Sequence, residues 1–212
     1  MRCSMSRSIR MLTTASGAFL FGFLAYLISQ RKTMSIDLGI MAIVHAQASE
    51  FMDLVMVAIT TMGSALVLAP LEIIFLCFLL SQRKIAIAGF LALAVGGGAV
   101  LNSVLKEYFL RPRPALWDTL VSEASYSFPS GHSMHTMVLL VSLGFVMQEE
   151  VKRAWWISAA LFVFLVGFSR IYLGVHYPSD VLGGWFAGIA WAALCSLPLK
   201  NDNVTIFPDR KS

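Results

Sequence analysis

The sequence predicts an all-α integral membrane protein: a bundle of six transmembrane helices with cytoplasmic N- and C-termini. Hydrophobic residues make up 58% of the 212 residues and charged residues only 13%, whereas a soluble domain is about one quarter charged. Apolar runs long enough to cross a bilayer recur along the whole chain. No polar block between them could form a separate soluble domain, so residues 1–212 are predicted to form one membrane-embedded domain.

The predicted spans can be assigned in chain order. They cover residues 11–29, 54–80, 85–105, 130–147, 154–173 and 181–197. A basic head precedes the first run, but the length of that run favours a membrane helix over a cleaved signal peptide. Residues 33–53 mix charges with short apolar pieces and are predicted to be a loop with a short amphipathic helix on the membrane surface.

The distribution of Lys and Arg orients the predicted bundle. With six spans, both tails and the turns at residues 83–84 and 152–153 lie on one side, and all four segments are basic. Basic loops tend to remain in the cytoplasm, which accounts for the net charge of +4 without a nucleic-acid partner. The outward side carries basic residues against this bias: Lys106, Arg111, Arg113 and Arg170.

The most informative stretch runs from Ser169 to Asp180. An Asp four residues after a His, across a turn that contains Pro, can accept a hydrogen bond from the His Nδ1–H. Asp180 would thereby leave Nε2 of His176 as a free lone pair, which a nucleophile or base requires. Arg170 adds a permanent cation with forked donors suited to phosphate or carboxylate. The alternative is that these polar residues only cap two membrane helices.

Two upstream stretches would face the same side of the membrane. Lys106 lies where the third span ends, and Arg113 follows between prolines that stiffen the chain. Ser130 is predicted to be the N-cap of the fourth span, so that backbone N–H groups from Gly131 onwards point towards an anion. His132, on the first turn of that span, would face the same pocket and is a candidate general acid.

Together these residues would form a cage for a tetrahedral oxyanion beside an oriented nucleophile, as phosphoryl transfer requires. His176 would attack phosphorus, and His132 would donate a proton to the leaving oxygen. No metal is expected: a zinc site that includes His135 is disfavoured, because His132 and His135 are three residues apart and the neighbouring cations would repel a dication. Glu72, inside the second span, is interpreted as a structural residue that is either bonded to a neighbouring helix or close to the membrane interface.

In this order, the three motifs resemble the signature of the type 2 phosphatidic acid phosphatase family: Lys-x6-Arg-Pro, Pro-Ser-Gly-His and Ser-Arg-x5-His-x3-Asp. The predicted six-span layout extends the resemblance over nearly the whole chain. The resemblance implies a phosphohistidine mechanism in which His176 is the nucleophile, His132 the acid and Asp180 the residue that orients the nucleophile. The residues that it implies for phosphate binding are Lys106, Arg113, Ser130, Gly131 and Arg170.

Within that family the chain looks most like the bacterial phosphatidylglycerophosphatase B type. The resemblance implies cofactor-free hydrolysis of the phosphomonoester or pyrophosphate of membrane lipids, such as phosphatidylglycerophosphate, undecaprenyl pyrophosphate and phosphatidic acid. It implies an active site on the extracytoplasmic face of the cell membrane. Two alternatives remain open at this point: a lipid phosphotransferase, and a non-catalytic protein that binds or transports phosphate lipids.

Overall fold

Eight α-helices account for most of the chain in the computed structural model, which describes residues 6–147 and 149–199. No strand occurs among these residues, so the all-α prediction is confirmed for them. Most of the two predicted basic tails, at residues 1–5 and 200–212, lies outside the described residues. The helices are α1 (Arg7–Ser29), α2 (Met34–His45), α3 (Glu50–Met62), α4 (Ala65–Ser81), α5 (Ile85–Phe109), α6 (Gly131–Val146), α7 (Glu149–Tyr172) and α8 (Pro178–Ser196).

Four of the six predicted spans are long and apolar enough to cross a bilayer, which identifies a multi-pass membrane protein. They are Arg7–Ser29, Glu50–Ser81, Ile85–Phe109 and Val151–Tyr172. The predicted fourth and sixth spans correspond to α6, which has 16 residues, and α8, which has 19. Both pack against several other helices in the middle of the bundle. Because they face protein more than lipid, they can carry buried polar side chains such as Ser133, Thr136 and Ser142.

Two local predictions differ from the structure. The predicted second span is divided, because α3 ends before Gly63 and α4 begins after Ser64, whose hydroxyl donates a hydrogen bond to the carbonyl of Thr61 over 2.7 Å. Pro70 lies within α4 and does not interrupt it. Residues 33–53, predicted to be mainly a surface loop, contain the whole of α2, and its Asp37 side chain is buried in protein.

The close packing of α6 against α8 positions the predicted motifs. A Cβ added at Gly184 would lie 2.8 Å from the carbonyl oxygen of Ser130, and one at Gly188 would lie 3.0 Å from that of Met134. Two small residues four apart let membrane helices approach closely. The two helices start at the same end of the bundle, and this contact brings the Pro-Ser-Gly-His motif beside the loop that contains His176.

Arg10 closes the opposite end of the bundle. Predicted to be part of a basic cytoplasmic head, it is instead buried, and its Nη1 donates to the carbonyl oxygens of Ser196 over 2.5 Å and Leu199 over 3.2 Å. These carbonyls lie at and just beyond the C-terminus of α8, where they have no partner within the helix. The start of α1 and the end of α8 therefore share one end of the bundle, away from the motif loops.

Candidate active site

Four helix ends meet at the other end of the bundle: the C-termini of α5 and α7 and the N-termini of α6 and α8. The backbone N–H of Ser130 donates to the carbonyl of Asp180 over 3.0 Å, which joins α6 to α8. Nη1 of Arg113 donates to the carbonyl of Val175 over 2.8 Å, which joins the loop of residues 110–129 to the loop of residues 173–177. The three sequence motifs therefore lie together.

His176 is buried at the centre of this arrangement, with 1% of its surface exposed. Nη1 of Arg113 lies 3.0 Å from its Nε2, and Oδ2 of Asp180 lies 3.4 Å from its Nδ1. Because a guanidinium can only donate, Nε2 must be the acceptor, and the ring proton is on Nδ1, facing Asp180. Burial lowers the pKa of His176 to about 4; Asp180 opposes this effect, while Arg170 and Arg113 add to it. The ring is therefore neutral at pH 7.

Lys106 and Arg113, two of the predicted phosphate-binding cations, donate hydrogen bonds to the same segment of the 110–129 loop. Lys106 Nζ donates to Ser125 Oγ and to the carbonyl of Tyr126, each over 2.8 Å. Arg113 donates to the carbonyl of Ser125 over 2.7 Å and to its hydroxyl over 3.2 Å. Lys106 and Arg113 thus share Ser125, although only Arg113 contacts His176 directly.

Arg170 is the most deeply buried of the predicted cations, with 1% of its surface exposed. Its Nη1 donates to Thr60 Oγ1 over 2.6 Å, and its Nη2 donates to Glu123 Oε1. Its Nε has no hydrogen-bond partner among the described residues. A buried guanidinium with an unused donor is suited to bind an anion.

The start of α6 matches the prediction in position but differs in one side chain. Ser130 is the N-cap residue, as predicted, yet its Oγ accepts a hydrogen bond from Ser133 Oγ over 3.0 Å rather than contacting any of the cations. Gly131 begins the helix, and His132 on the first turn lies with Nδ1 4.0 Å from Glu123 Oε1. His132 therefore faces the same carboxylate as the cations.

Glu123 was not predicted from the sequence, yet its carboxylate is where these groups converge. Oε1 accepts from Arg170 and lies near His132, and Oε2 is 3.4 Å from Arg113 Nη2. Burial raises the pKa of Glu123, but the charges of Arg170 and Arg113 outweigh burial and hold the pKa below its ordinary value. The ionised carboxylate of Glu123 thus lies where Arg113 and Arg170 could bind a phosphate. A lone Glu in a polar loop carries no sequence signal for such a position.

Arg111, Asp37 and Ser127 are further contacts of the site that sequence reasoning missed. Nη1 of Arg111 lies 2.5 Å from Asp180 Oδ1, and its Nη2 lies 2.9 Å from Asp37 Oδ2. The Ser127 hydroxyl and the Tyr177 backbone N–H both donate to Asp180 Oδ2. The only signal for Arg111 was its charge on the outward side of the predicted bundle.

The remaining candidates fall outside this cluster. Nε2 of His135 lies 2.8 Å from Oε1 of Glu72, in agreement with the predicted contact between helices. His132 and His135 thus face different carboxylates, and no group of three or more His, Cys, Asp or Glu within the described ranges is placed to hold a metal ion. His45 stacks on Trp117, with ring centroids 3.9 Å apart.

These features define a multi-pass helical membrane protein in which Arg113 and Arg170 converge on the Glu123 carboxylate beside a neutral, oriented histidine. Residues 87–202 match the model of the PAP2 superfamily, and the chain belongs to that family. It is 34% identical over 175 residues to phosphatidylglycerophosphatase B of Bacillus subtilis (strain 168), an alignment that covers 80% of this chain and 86% of that protein. An undecaprenyl-diphosphatase of Sulfolobus acidocaldarius is 36% identical over 101 residues, covering 47% of this chain and 42% of that protein.

Two crystal structures of membrane proteins share the fold. The first transmembrane PAP2 type phosphatidylglycerolphosphate phosphatase from Bacillus subtilis matches with a TM-score of 0.81 and 33% identity, covering 87% of this chain and 94% of that one. Aquifex aeolicus LpxE matches with a TM-score of 0.61 and 30% identity, covering 74% and 93%. The family predicted from the three motifs is therefore confirmed.

Proposed function

We propose that this protein is a membrane lipid phosphatase that needs no metal and uses His176 as its nucleophile. The observation that carries the proposal is the position of Arg113, which contacts Nε2 of His176 while Asp180 faces Nδ1. Nη1 of Arg113 occupies the only lone pair of this neutral imidazole in the structure, so a phosphoryl group that draws Arg113 onto its own oxygens would free the lone pair and lie beside it. Fixed cations of this kind stabilise the charge that develops on phosphoryl oxygens in the transition state.

Substrate binding begins with an exchange of anions. The phosphate of the lipid takes the place of the Glu123 carboxylate, and Arg113 and Arg170 turn their donors to its oxygens. The N–H groups at the start of α6, next to Gly131, add a partial positive charge. Lys106 holds the loop segment that contains Ser125 in place and adds a further positive charge near the phosphate.

The reaction then takes two steps. Nε2 of His176 attacks phosphorus, the bond from phosphorus to the leaving oxygen breaks, and His132 gives that oxygen its proton. Asp180 stabilises the positive charge on the phosphorylated ring through Nδ1–H. Water next attacks phosphorus and gives a proton to His132, while the bond from phosphorus to Nε2 of His176 breaks. Inorganic phosphate is released, and both histidines return to their starting states.

The proposed substrate is a lipid because of where the site lies. The helices of the bundle expose large apolar side chains, such as Phe19, Leu66 and Ile74, as a surface in contact with acyl chains would. We place the site on the extracytoplasmic face, in one domain of residues 1–212 with six spans and cytoplasmic termini, because this arrangement keeps the basic turns inside. Phosphatidylglycerophosphate, undecaprenyl pyrophosphate and phosphatidic acid are the substrates suggested by the relatives' names and by the family.

The test is phosphate release by the purified protein in detergent micelles with EDTA present, over a panel of these three lipids. We expect hydrolysis of at least one lipid and none with the variant His176→Ala. Transfer of phosphate to an added alcohol in place of water would make the protein a phosphotransferase. Binding of lipid without phosphate release would make it a binding or transport protein.

A further inference from the structure

Behind His176 lies a buried chain of three charged side chains, of which the mechanism above uses only Asp180. Asp180, Arg111 and Asp37 follow one another from the histidine outwards. Their side chains are 0%, 7% and 2% exposed. Charged groups buried to this extent are costly unless they are paired and hydrogen-bonded. The three side chains come from α8, the 110–129 loop and α2, so the chain also joins three elements that are distant in sequence.

The contacts of this chain fix both oxygens of Asp180. Oδ1 faces Nη1 of Arg111 at 2.5 Å, while Oδ2 accepts from Ser127 and from the backbone N–H of Tyr177 and faces His176. Arg111 also lies over the ring of Tyr177, with its guanidinium carbon 4.2 Å from the ring centroid. The carboxylate therefore has little freedom to rotate away from Nδ1 of His176.

Asp37 completes the chain on its outer side. Its Oδ2 lies 2.9 Å from Nη2 of Arg111 and accepts from the Ser179 hydroxyl over 2.6 Å, and its Oδ1 accepts from the Ser179 backbone N–H over 3.0 Å. Arg111 Nη1 donates to the same Ser179 hydroxyl over 2.8 Å. Every polar atom of the Asp37 carboxylate is thus used within the first turn of α8 or by Arg111.

The net charge of Asp180, Arg111 and Asp37 determines how strongly the three groups support a positive charge on His176. Arg111 alone would neutralise Asp180 and weaken its support for positive charge on His176. With Asp37 the three groups sum to one negative charge, so that His176 still faces a net anion while Arg111 holds the carboxylate in place. In a buried setting the charges of such neighbours act over several ångströms with little screening.

We propose that Arg111 and Asp37 are positioning residues for this reaction: Arg111 orients the Asp180 carboxylate, and Asp37 balances the charge of Arg111. This inference rests on the proposed role of His176 as the nucleophile. The charged and titratable groups that face His176 from the surrounding elements are Asp180, Arg113, Arg170, Glu123 and His132.

The inference predicts opposite effects of two substitutions on the titration of His176. Asp37→Asn removes a negative charge, so the imidazolium is less stable and His176 titrates at a lower pH than in the unaltered protein. Arg111→Met removes a positive charge, so His176 titrates at a higher pH. The double variant restores one negative charge, and its titration returns towards that of the unaltered protein. Asp37→Asn should also lower kcat by about 10- to 100-fold, as loss of an outer-shell partner does at metal sites, with KM nearly unchanged.

The titration is read by NMR of histidine-labelled protein, in which the His176 signal is assigned by its loss in His176→Asn. This readout needs no turnover, so it remains informative if phosphate release is not observed. Asp118→Asn, the same chemical change at an exposed acid of the 110–129 loop, is the matched control and should leave the titration unmoved. Arg111→Lys keeps the positive charge but replaces the forked donors of the guanidinium with a point charge. Compared with Arg111→Met, it should therefore restore the titration of His176 more than it restores kcat.

Shifts in the same direction for Asp37→Asn and Arg111→Met, or no shift in either, would overturn the inference and leave a purely structural network. Phosphate release measured in the same preparations separates the two proposals. If the unaltered protein releases no phosphate, the proposed function fails, whatever the titrations show. If it releases phosphate but His176 titrates alike in all variants, only the positioning role fails.

Discussion

The two loops that meet at the candidate active site are built in opposite ways. Residues 173–177 are all buried, and Gly174 adopts a positive φ of 72°, where an added Cβ would lie 2.5 Å from Trp117 Nε1. Residues 110–129 are mostly exposed between a few anchors, which are Arg111, Trp117 and residues 125–129. The loop with the proposed nucleophile is fixed by its surroundings, whereas the loop with Arg113 and Glu123 is held at separate points.

Because the two loops are built differently, we expect the side of the site formed by residues 173–177 and the side formed by residues 110–129 to have different roles. A nucleophile that is oriented before substrate arrives needs no reorganisation during the reaction. Under the proposed mechanism the other side must instead rearrange, because the Glu123 carboxylate would have to leave Arg113 and Arg170 when a phosphate enters. The segment between Trp117 and Ser125 carries Glu123 and has exposed residues on both sides of it. We therefore expect substitutions on the fixed side to affect the chemical step and those on the other side to affect anion binding.

The largest effect is expected for Asp180→Asn on the fixed side. An Asn cannot stabilise positive charge on the His176 ring, and by analogy with the serine protease triad kcat should fall by up to about 10⁴-fold. The measurement is kcat on a phosphate lipid, with thermal unfolding as a check that the protein folds. A rate close to that of the unaltered protein would mean that Asp180 serves only as the capping residue of α8.

A smaller effect is expected for Arg170→Lys, at the boundary between the two sides. Lys can keep one contact, to Thr60 or to the phosphate, but not the forked geometry that the buried guanidinium offers. We expect kcat/KM to fall by about 100-fold, as it does when one transition-state donor is lost. Arg153→Lys, an exposed position at the other end of α7, is the control. Equal rates for the two variants would remove Arg170 from the phosphate site.

The smallest effect is expected for Glu123→Gln on the adaptable side. If Glu123 competes with phosphate, its neutral analogue should bind inorganic phosphate about tenfold more tightly, because the empty site no longer has to release an ion pair. Product inhibition by phosphate measures this change, and Glu50→Gln, an exposed acid at the start of α3, is the control. Weaker phosphate inhibition in Glu123→Gln would show that Glu123 assists binding and does not compete.

The sequence could predict what is local or carried by a motif. The N-cap at Ser130 and the contact of Asp180 with His176 follow from spacing over short stretches. The convergence of the three motifs follows from the alternation of the predicted spans across the membrane. The partners of Glu123 and of Arg111 could not be predicted, because they depend on contacts across the fold. Asp37 reaches Arg111 from a segment 74 residues away. Its surroundings looked like a polar surface loop because the buried face of α2 is only two residues wide, Asp37 and Met41.

The break between α3 and α4 is another feature that the sequence could not predict. Here the structure is less continuous than predicted, whereas for α2 it is more helical than predicted. The apolar run over residues 54–80 predicts one unbroken span. The chain instead bends at Gly63 and Ser64, where the hydroxyl and the backbone N–H of Ser64 both donate to the carbonyl of Thr61. The stacking of His45 on Trp117 likewise depends on where the 110–129 loop lies.

The most direct test of the account is to trap the covalent intermediate. The protein is mixed with a lipid labelled with ³²P in its terminal phosphate, quenched within one turnover and analysed for protein-bound label. We predict an acid-labile, base-stable phosphohistidine that maps to His176, that is absent in His176→Ala and that decays as inorganic phosphate appears. Turnover without label on the protein, or label on a different residue, would contradict the account.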